Sequence, residues 1–211
     1  MSDQLRLSQL VCSRLCHDLV GAAGAVNAGL EILAEMGGLD DGAMELATKS
    51  GQELTRRLAF YRVAFGAGGA GKGGAEVDAL RDLATEFLDG SNTDLEWLDT
   101  GGITEIDPII GKLLLNLILI GSECLPRGGN VSVQLAQIEG GIGIAVSASG
   151  VDAGLREDLA EGLTPGKALT SLDSRSIHSY LTQLLVLEAG CELEVAADHD
   201  VVRFAALTGT D

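Results

Sequence analysis

Basic side chains are scarce in this 211-residue chain. Its 14 lysines and arginines face 31 aspartates and glutamates, a formal net charge of −17. That balance excludes the electrostatic footprint of a nucleic-acid binder, and an anionic membrane surface would repel it. Long apolar runs are missing as well. The most apolar window, Leu113 to Ile120, is too short to span a bilayer and begins directly after Lys112. The first residues, MSDQLRLSQL, contain no apolar stretch of the kind a secretory leader needs. Four cysteines (Cys12, Cys16, Cys124 and Cys191) are too few for a dense disulfide framework. Cys12, Cys16 and His17 lack the C-x2-C spacing of zinc sites, and the two cysteines suit buried small-residue positions of a helix. No metal is therefore expected, and the expected compartment is the cytoplasm.

What is present is a globular composition, 46% apolar and 21% charged, long enough for one good core and a smaller element. The acidity is unevenly placed. Residues 1–66 hold 6 Lys/Arg and 8 Asp/Glu, or −2, and the remainder holds 8 and 23, or −15. An acidic partner protein therefore meets least repulsion at the N-terminal part.

The stretch "GAGGAGKGGA" (66–75) has the composition of a flexible linker. It divides the chain into a helical part (1–67), a linker (68–75) and a mixed α/β part (76–211). In the first part Ser8, Cys12, Leu15, Leu19, Ala22, Val26, Gly29, Leu33 and Met36 step by threes and fours, a seam at helical spacing. Gly37-Gly38 ends that helix, and Asp40-Asp41 caps a second one with seam residues Met44, Ala47, Gly51, Leu54, Leu58, Tyr61 and Phe65. Together they predict an antiparallel hairpin whose remaining apolar surface pairs with a second copy, giving a dimeric four-helix bundle. The alternative is that the hairpin packs on its own C-terminal domain. Beyond the linker, helices are expected at 76–88, from Asp107-Pro108 onward, near 154–162 and near 173–189. A short strand at 95–98 and hairpins around Glu139-Gly140-Gly141 and Asp198–Asp200 complete an α/β sandwich with a mostly antiparallel sheet. The fold class is thus α+β.

His17 stands out within "SRLCHDLVGAAGAVNAGLEIL" (13–33). On a helix it points away from the Leu15–Leu19 direction. Its same-face neighbours are Ser13, Arg14, Val20 and Gly21, with Gly24 a turn further. Bare backbone at Gly21 and Gly24 lets another protein approach closely. Arg14 is placed to neutralise an anion on the ring, and Asp18 to orient the imidazole and leave its other nitrogen nucleophilic. The bland alternative is a surface histidine beside small residues that merely allow tight helix packing. His178 and His199 have no comparable setting.

Arg14-Leu15-Cys16-His17-Asp18-Leu19 resembles the phosphoacceptor box of histidine kinases in the form used by ChpT-type histidine phosphotransferases. Arg62-Val63-Ala64-Phe65-Gly66-Ala67 is similar to that family's motif at the end of the second helix, and "LLLNLILIGSECLPRGG" (113–129) and "LTQLLVLEAG" (181–190) also fit. The resemblance implies a homodimeric bundle followed by a degenerate histidine-kinase ATP-binding domain. It further implies that His17 accepts a phosphoryl group. The donor would be the receiver domain of a hybrid (CckA-like) kinase, and the acceptors response-regulator receivers (CtrA-like and CpdR-like) in a cell-cycle phosphorelay. Aspartate and Mg²⁺ then belong to the receivers, and Gly21, Gly24, Lys49, Arg56 and Arg57 are candidate docking residues. Many relatives carry proline where Ala22 stands, so this helix is expected to be straighter.

Two rivals remain: an active kinase and a dimeric adaptor that binds receivers without carrying phosphate. Kinases need N-x3-N, but Asn116 is followed four residues later by Ile120, which cannot hold a hard cation. Ala148 falls near the place of their adenine-reading aspartate, Asp152-x-Gly154 is the nearest substitute, and "LTPGKAL" (163–169) is the only remnant of a phosphate lid. No ATP binding is expected. The motif at 14–19 separates the relay from the adaptor.

Overall fold

The computed structural model describes residues 2–38, 40–66, 74–98, 100–139 and 141–209. Residues 68–73 of the expected linker and Gly140 of the expected turn lie outside them.

Helix α1 (Asp3–Glu35) starts where the Ser2 hydroxyl accepts from the Leu5 N–H. It runs unbroken past Ala22, which is buried. Gly37 and Gly38, both at positive φ, turn the chain. The Asp40 carboxylate then caps α2 (Asp41–Ala64) by accepting from the Ala43 N–H at 2.7 Å. The two helices touch where a side chain is missing. A Cβ on Gly29 would sit 2.8 Å from the Ala43 carbonyl and 2.9 Å from the Ala47 Cβ.

The expected seam is corrected at its N-terminal end. Ser8 and Cys12 are exposed, as is Cys16, while Leu7, Leu10 and Val11 pack against Leu169, Leu172 and Ile177. The physical reason is length. Tyr61, near the end of α2, bonds to Asp18, so the first four turns of α1 run on past α2 and take the C-terminal region as their partner. Arg6 reinforces this contact by donating to the carbonyls of Leu169, Thr170 and Leu172. In α2, Met44 and Leu58 are likewise exposed, and Ala43, Ser50 and Phe60 are buried instead.

The C-terminal region is an α+β sandwich. Its five-stranded sheet has the order β2 (Thr93–Trp97), β4 (Gly129–Ile138), β5 (Gly141–Ser149), β7 (Val201–Gly209) and β6 (Glu192–Asp198). The β2–β4 pair is parallel and the other three are antiparallel. A small ladder of β1 (Ala75–Glu76) and β3 (Glu105–Ile106), which periodicity did not reveal, precedes the main helix. Four helices accompany the sheet: α3 (Val77–Leu88), α4 (Pro108–Glu123), α5 (Glu157–Leu163) and α6 (Ile177–Glu188). Helix α6 starts later than its pattern suggests, because the Asp173 carboxylate accepts from the Arg175 and Ser176 N–H groups and folds 173–176 into a turn.

The core is continuous from hairpin to sandwich. Phe60, Tyr61 and Ala64 of α2 belong to the same buried cluster as Leu114, Leu117 and Phe204. Four of the seven aromatics meet at this level: Phe60 stacks on Phe87 at 3.9 Å between centroids, and Tyr61 on Phe65 at 5.3 Å. Buried Asn116 donates from α4 to the Ala64 carbonyl at 3.0 Å. The base of the hairpin is therefore set into the sandwich rather than hung from it.

Candidate phosphoacceptor site

His17 emerges from α1 with 76% of its side chain exposed. Its Nδ1 lies 3.2 Å from Asp18 Oδ1. With that nitrogen carrying the proton and donating to the carboxylate, Nε2 is left with its lone pair facing outward. Asp18 is itself firmly held. Its Oδ2 accepts from Arg14 Nε at 2.6 Å and from the Tyr61 hydroxyl at 2.9 Å. Burial, and then the Asp18 charge, push the Tyr61 phenol well above its ordinary value, so it stays a donor.

Arg14 differs from its expected role. Rather than facing an incoming anion, its guanidinium is mostly buried and every nitrogen has an acceptor. Nε binds Asp18, Nη1 the Arg175 carbonyl, and Nη2 forms a close ion pair with Glu123 at the end of α4. Burial disfavours its charge, but Glu123 and Asp18 outweigh that and hold its pKa raised. The cause of the difference is again the long α1, which presses this face against the sandwich.

Glu123 connects the site to the interior. Besides Arg14, its carboxylate lies 3.3 Å from His178 Nε2, misaligned for a hydrogen bond, and 3.7 Å from Arg156. Burial works to raise its pKa, yet His178 and Arg14 together keep the carboxyl below its usual range. His178 is buried, and His199 is exposed beside Asp200. Sequence reasoning did not single out Glu123. The available signal was a carboxylate ending an otherwise apolar helix, which demands a cationic partner.

Gly21 and Gly24 are exposed, and a Cβ at either would meet nothing within 4 Å among the described residues. Tight packing within the hairpin thus accounts for Ala22 and Gly29 but not for these two. Lys49, Arg56 and Arg57 come together elsewhere, lining a cleft of about 440 Å³ with Phe87, Asp89 and Ser91. Each already has an acidic neighbour: Glu45 for Lys49, Asp89 for Arg56 and Glu53 for Arg57.

The residues compared with kinase nucleotide positions on sequence grounds lie as follows. Ile120 and Ala148 are completely buried. Asp152 lies in an exposed left-handed turn and pairs with Arg127 at 2.9 Å. The end of the lid remnant, Leu169, and the residues after it are packed on α1 through Arg6, Leu7 and Leu10.

These features define a helical histidine-bearing hairpin on an α+β sandwich, and comparison with known proteins gives its family. The model of the histidine phosphotransferase C-terminal domain matches residues 77–201. The chain belongs to the histidine phosphotransferase family. It is 33% identical over 204 residues to protein phosphotransferase ChpT of Brucella abortus (strain 2308), covering 96% of this chain and 95% of the relative. A solved bacterial phosphotransferase superposes with a TM-score of 0.82 at 33% identity, covering 96% of both chains. Among the described residues no helix is long and apolar enough to cross a membrane.

Proposed function

We propose that this protein relays a phosphoryl group between receiver-domain aspartates through phospho-His17. The observation that carries this reading is the exposed imidazole whose Nδ1 is engaged by Asp18, which leaves Nε2 as the free nucleophile. In the forward step the Nε2 lone pair attacks the phosphorus of a receiver's aspartyl phosphate. The P–O bond to the aspartate breaks, the carboxylate leaves with the electron pair, and an N–P bond forms. The ring then carries a positive charge, which the neighbouring Asp18 carboxylate stabilises through Nδ1–H. The reverse sequence delivers the group to a second receiver. Because the transition state is loose and highly charged, positioning and the receiver's Mg²⁺ supply most of the catalysis.

The protein needs no nucleotide for this exchange, and the burial of Ile120 and Ala148 supports a sandwich that binds no ATP. The partners are receivers of a CckA-like hybrid kinase and of CtrA-like and CpdR-like regulators, in a cell-cycle relay in the cytoplasm, with neither nucleic acid nor membrane involved. Receivers dock along the open backbone at Gly21 and Gly24, with Lys49, Arg56 and Arg57 of α2 as secondary contacts. Two copies pair through the apolar side chains left exposed on the hairpin, including Leu30, Met36, Met44 and Leu58.

The test is to mix the protein with a receiver carrying labelled aspartyl phosphate. Label is expected to move to an acid-labile, base-stable form that His17→Ala abolishes while the dimer persists. Receiver binding that survives His17→Ala, with no label transferred by the unaltered protein, would instead establish the adaptor.

A further inference from the structure

We propose that Glu123, outside the phosphoacceptor box and on a different domain, is a positioning residue that fixes the orientation and tautomer of His17 through Arg14 and Asp18. This rests on reading His17 as the phosphoacceptor. The chain of contacts is continuous: Glu123 to Arg14 Nη2, Arg14 Nε to Asp18 Oδ2, and Asp18 Oδ1 to His17 Nδ1.

Each link constrains the next. A guanidinium is a rigid planar fork. With Nη2 held by Glu123 and Nη1 by the Arg175 carbonyl, the direction of its Nε–H is set by α4 and by the turn before α6. That direction decides where Asp18 Oδ2 rests, and Tyr61 on α2 holds the same oxygen from another side. The second carboxylate oxygen, Oδ1, is then left for His17 alone among the described contacts. Charge acts in the same sense. Arg14 paired with Asp18 alone would neutralise the carboxylate that His17 relies on. Glu123 shares the cation and leaves Asp18 a stronger acceptor for Nδ1–H. The consequence is that the degenerate domain serves the chemistry without touching the phosphoryl group.

The experiment is a ¹⁵N-edited NMR spectrum of the His17 ring, recorded with phosphoryl uptake kinetics, for the unaltered protein, Glu123→Gln and Arg14→Gln, singly and combined. The unaltered ring is expected as the Nδ1–H tautomer, and Glu123→Gln should turn it into a mixture. Uptake kcat should fall by about tenfold, the lower end for losing an outer partner of a functional histidine, with KM for the receiver changed less than about twofold. In the Arg14→Gln background, Glu123→Gln should add no further change, since its effect passes through Arg14. Should Glu123→Gln fold poorly, Glu123→Asp keeps the charge, withdraws it by one methylene and should give a smaller shift of the same kind. A variant that loses thermal stability yet keeps the tautomer and kcat would overturn the proposal, as would effects that simply add to those of Arg14→Gln. The tautomer is read without any donor. An unaltered protein that takes up no phosphate would therefore sink the phosphoacceptor reading while the positioning role is still decided.

Discussion

Helices α1 and α4 show two opposite uses of a helix. Of the 16 residues of α4, 11 are buried, whereas only three of the 33 residues of α1 are. Helix α4 is largely apolar and acts as the axle of the sandwich, gripped by α3, α6 and the sheet. Helix α1 is held at intervals, by Ala22, Gly29 and Leu33 against α2 and by Leu7, Leu10 and Arg6 against the C-terminal region. Leu15 and Leu19 pack on the main core, Arg14 and Asp18 bond to Glu123 and Tyr61, and much of the remaining surface is exposed. A rigid interior helix and a partly committed surface helix are joined at Arg14–Glu123, and His17 sits one turn from that joint.

The contrast can be broken most completely at the proposed dimer contact. Leu30→Glu with Met44→Glu, both on exposed apolar positions, should convert a dimer to monomers in sedimentation, with the unfolding of the sandwich nearly unchanged. In α4 the opposite outcome is expected. Leu117→Ala, at a fully buried position, should cost about 3 kcal/mol in denaturant unfolding, with the oligomeric state preserved.

Glycines on α1 sharpen the same distinction within one helix. Gly29→Ala forces a methyl against the Ala43 carbonyl and should destabilise by about 2 kcal/mol. Gly21→Ala meets open space and should stabilise by up to about 1 kcal/mol through helix propensity, while weakening receiver binding in a titration.

The smallest effect concerns acid. The Glu123 carboxyl is held below its ordinary value of 4.5, so its contribution to stability is fully present above that pH. It is lost as pH falls from there through the lowered folded value. Urea midpoints of the unaltered protein and Glu123→Gln should accordingly differ at neutral pH and converge in acid.

Much of the fold was legible in the sequence because it was written in local chemistry. Asp40 and Asp107 announced their helices as capping carboxylates, and both accept from the expected backbone N–H groups. Glycine pairs and alternating residues marked the turns and hairpins. The parallel pairing of β2 with β4 was not legible, since a five-residue strand carries no sign of its partner's direction. Neither was the exposure of Cys12 and Cys16, because a helical stripe shows which residues share a face but not how far the neighbouring helix extends.

The candidate site divides in the same way. His17 and Asp18 are adjacent on one helix, and the backbone alone brings ring and carboxylate within reach, so the sequence determined that pair. It also determined the bare surface at Gly21 and Gly24 and the acidic sandwich. Tertiary structure alone decided the fate of Arg14. Its partner Glu123 lies 109 residues away, and an ion pair between distant segments forms only where packing has already brought them together. Periodicity fixes directions around one helix axis. The positions of separate elements follow from the shared core of Phe60, Tyr61 and Leu117, which no single segment encodes.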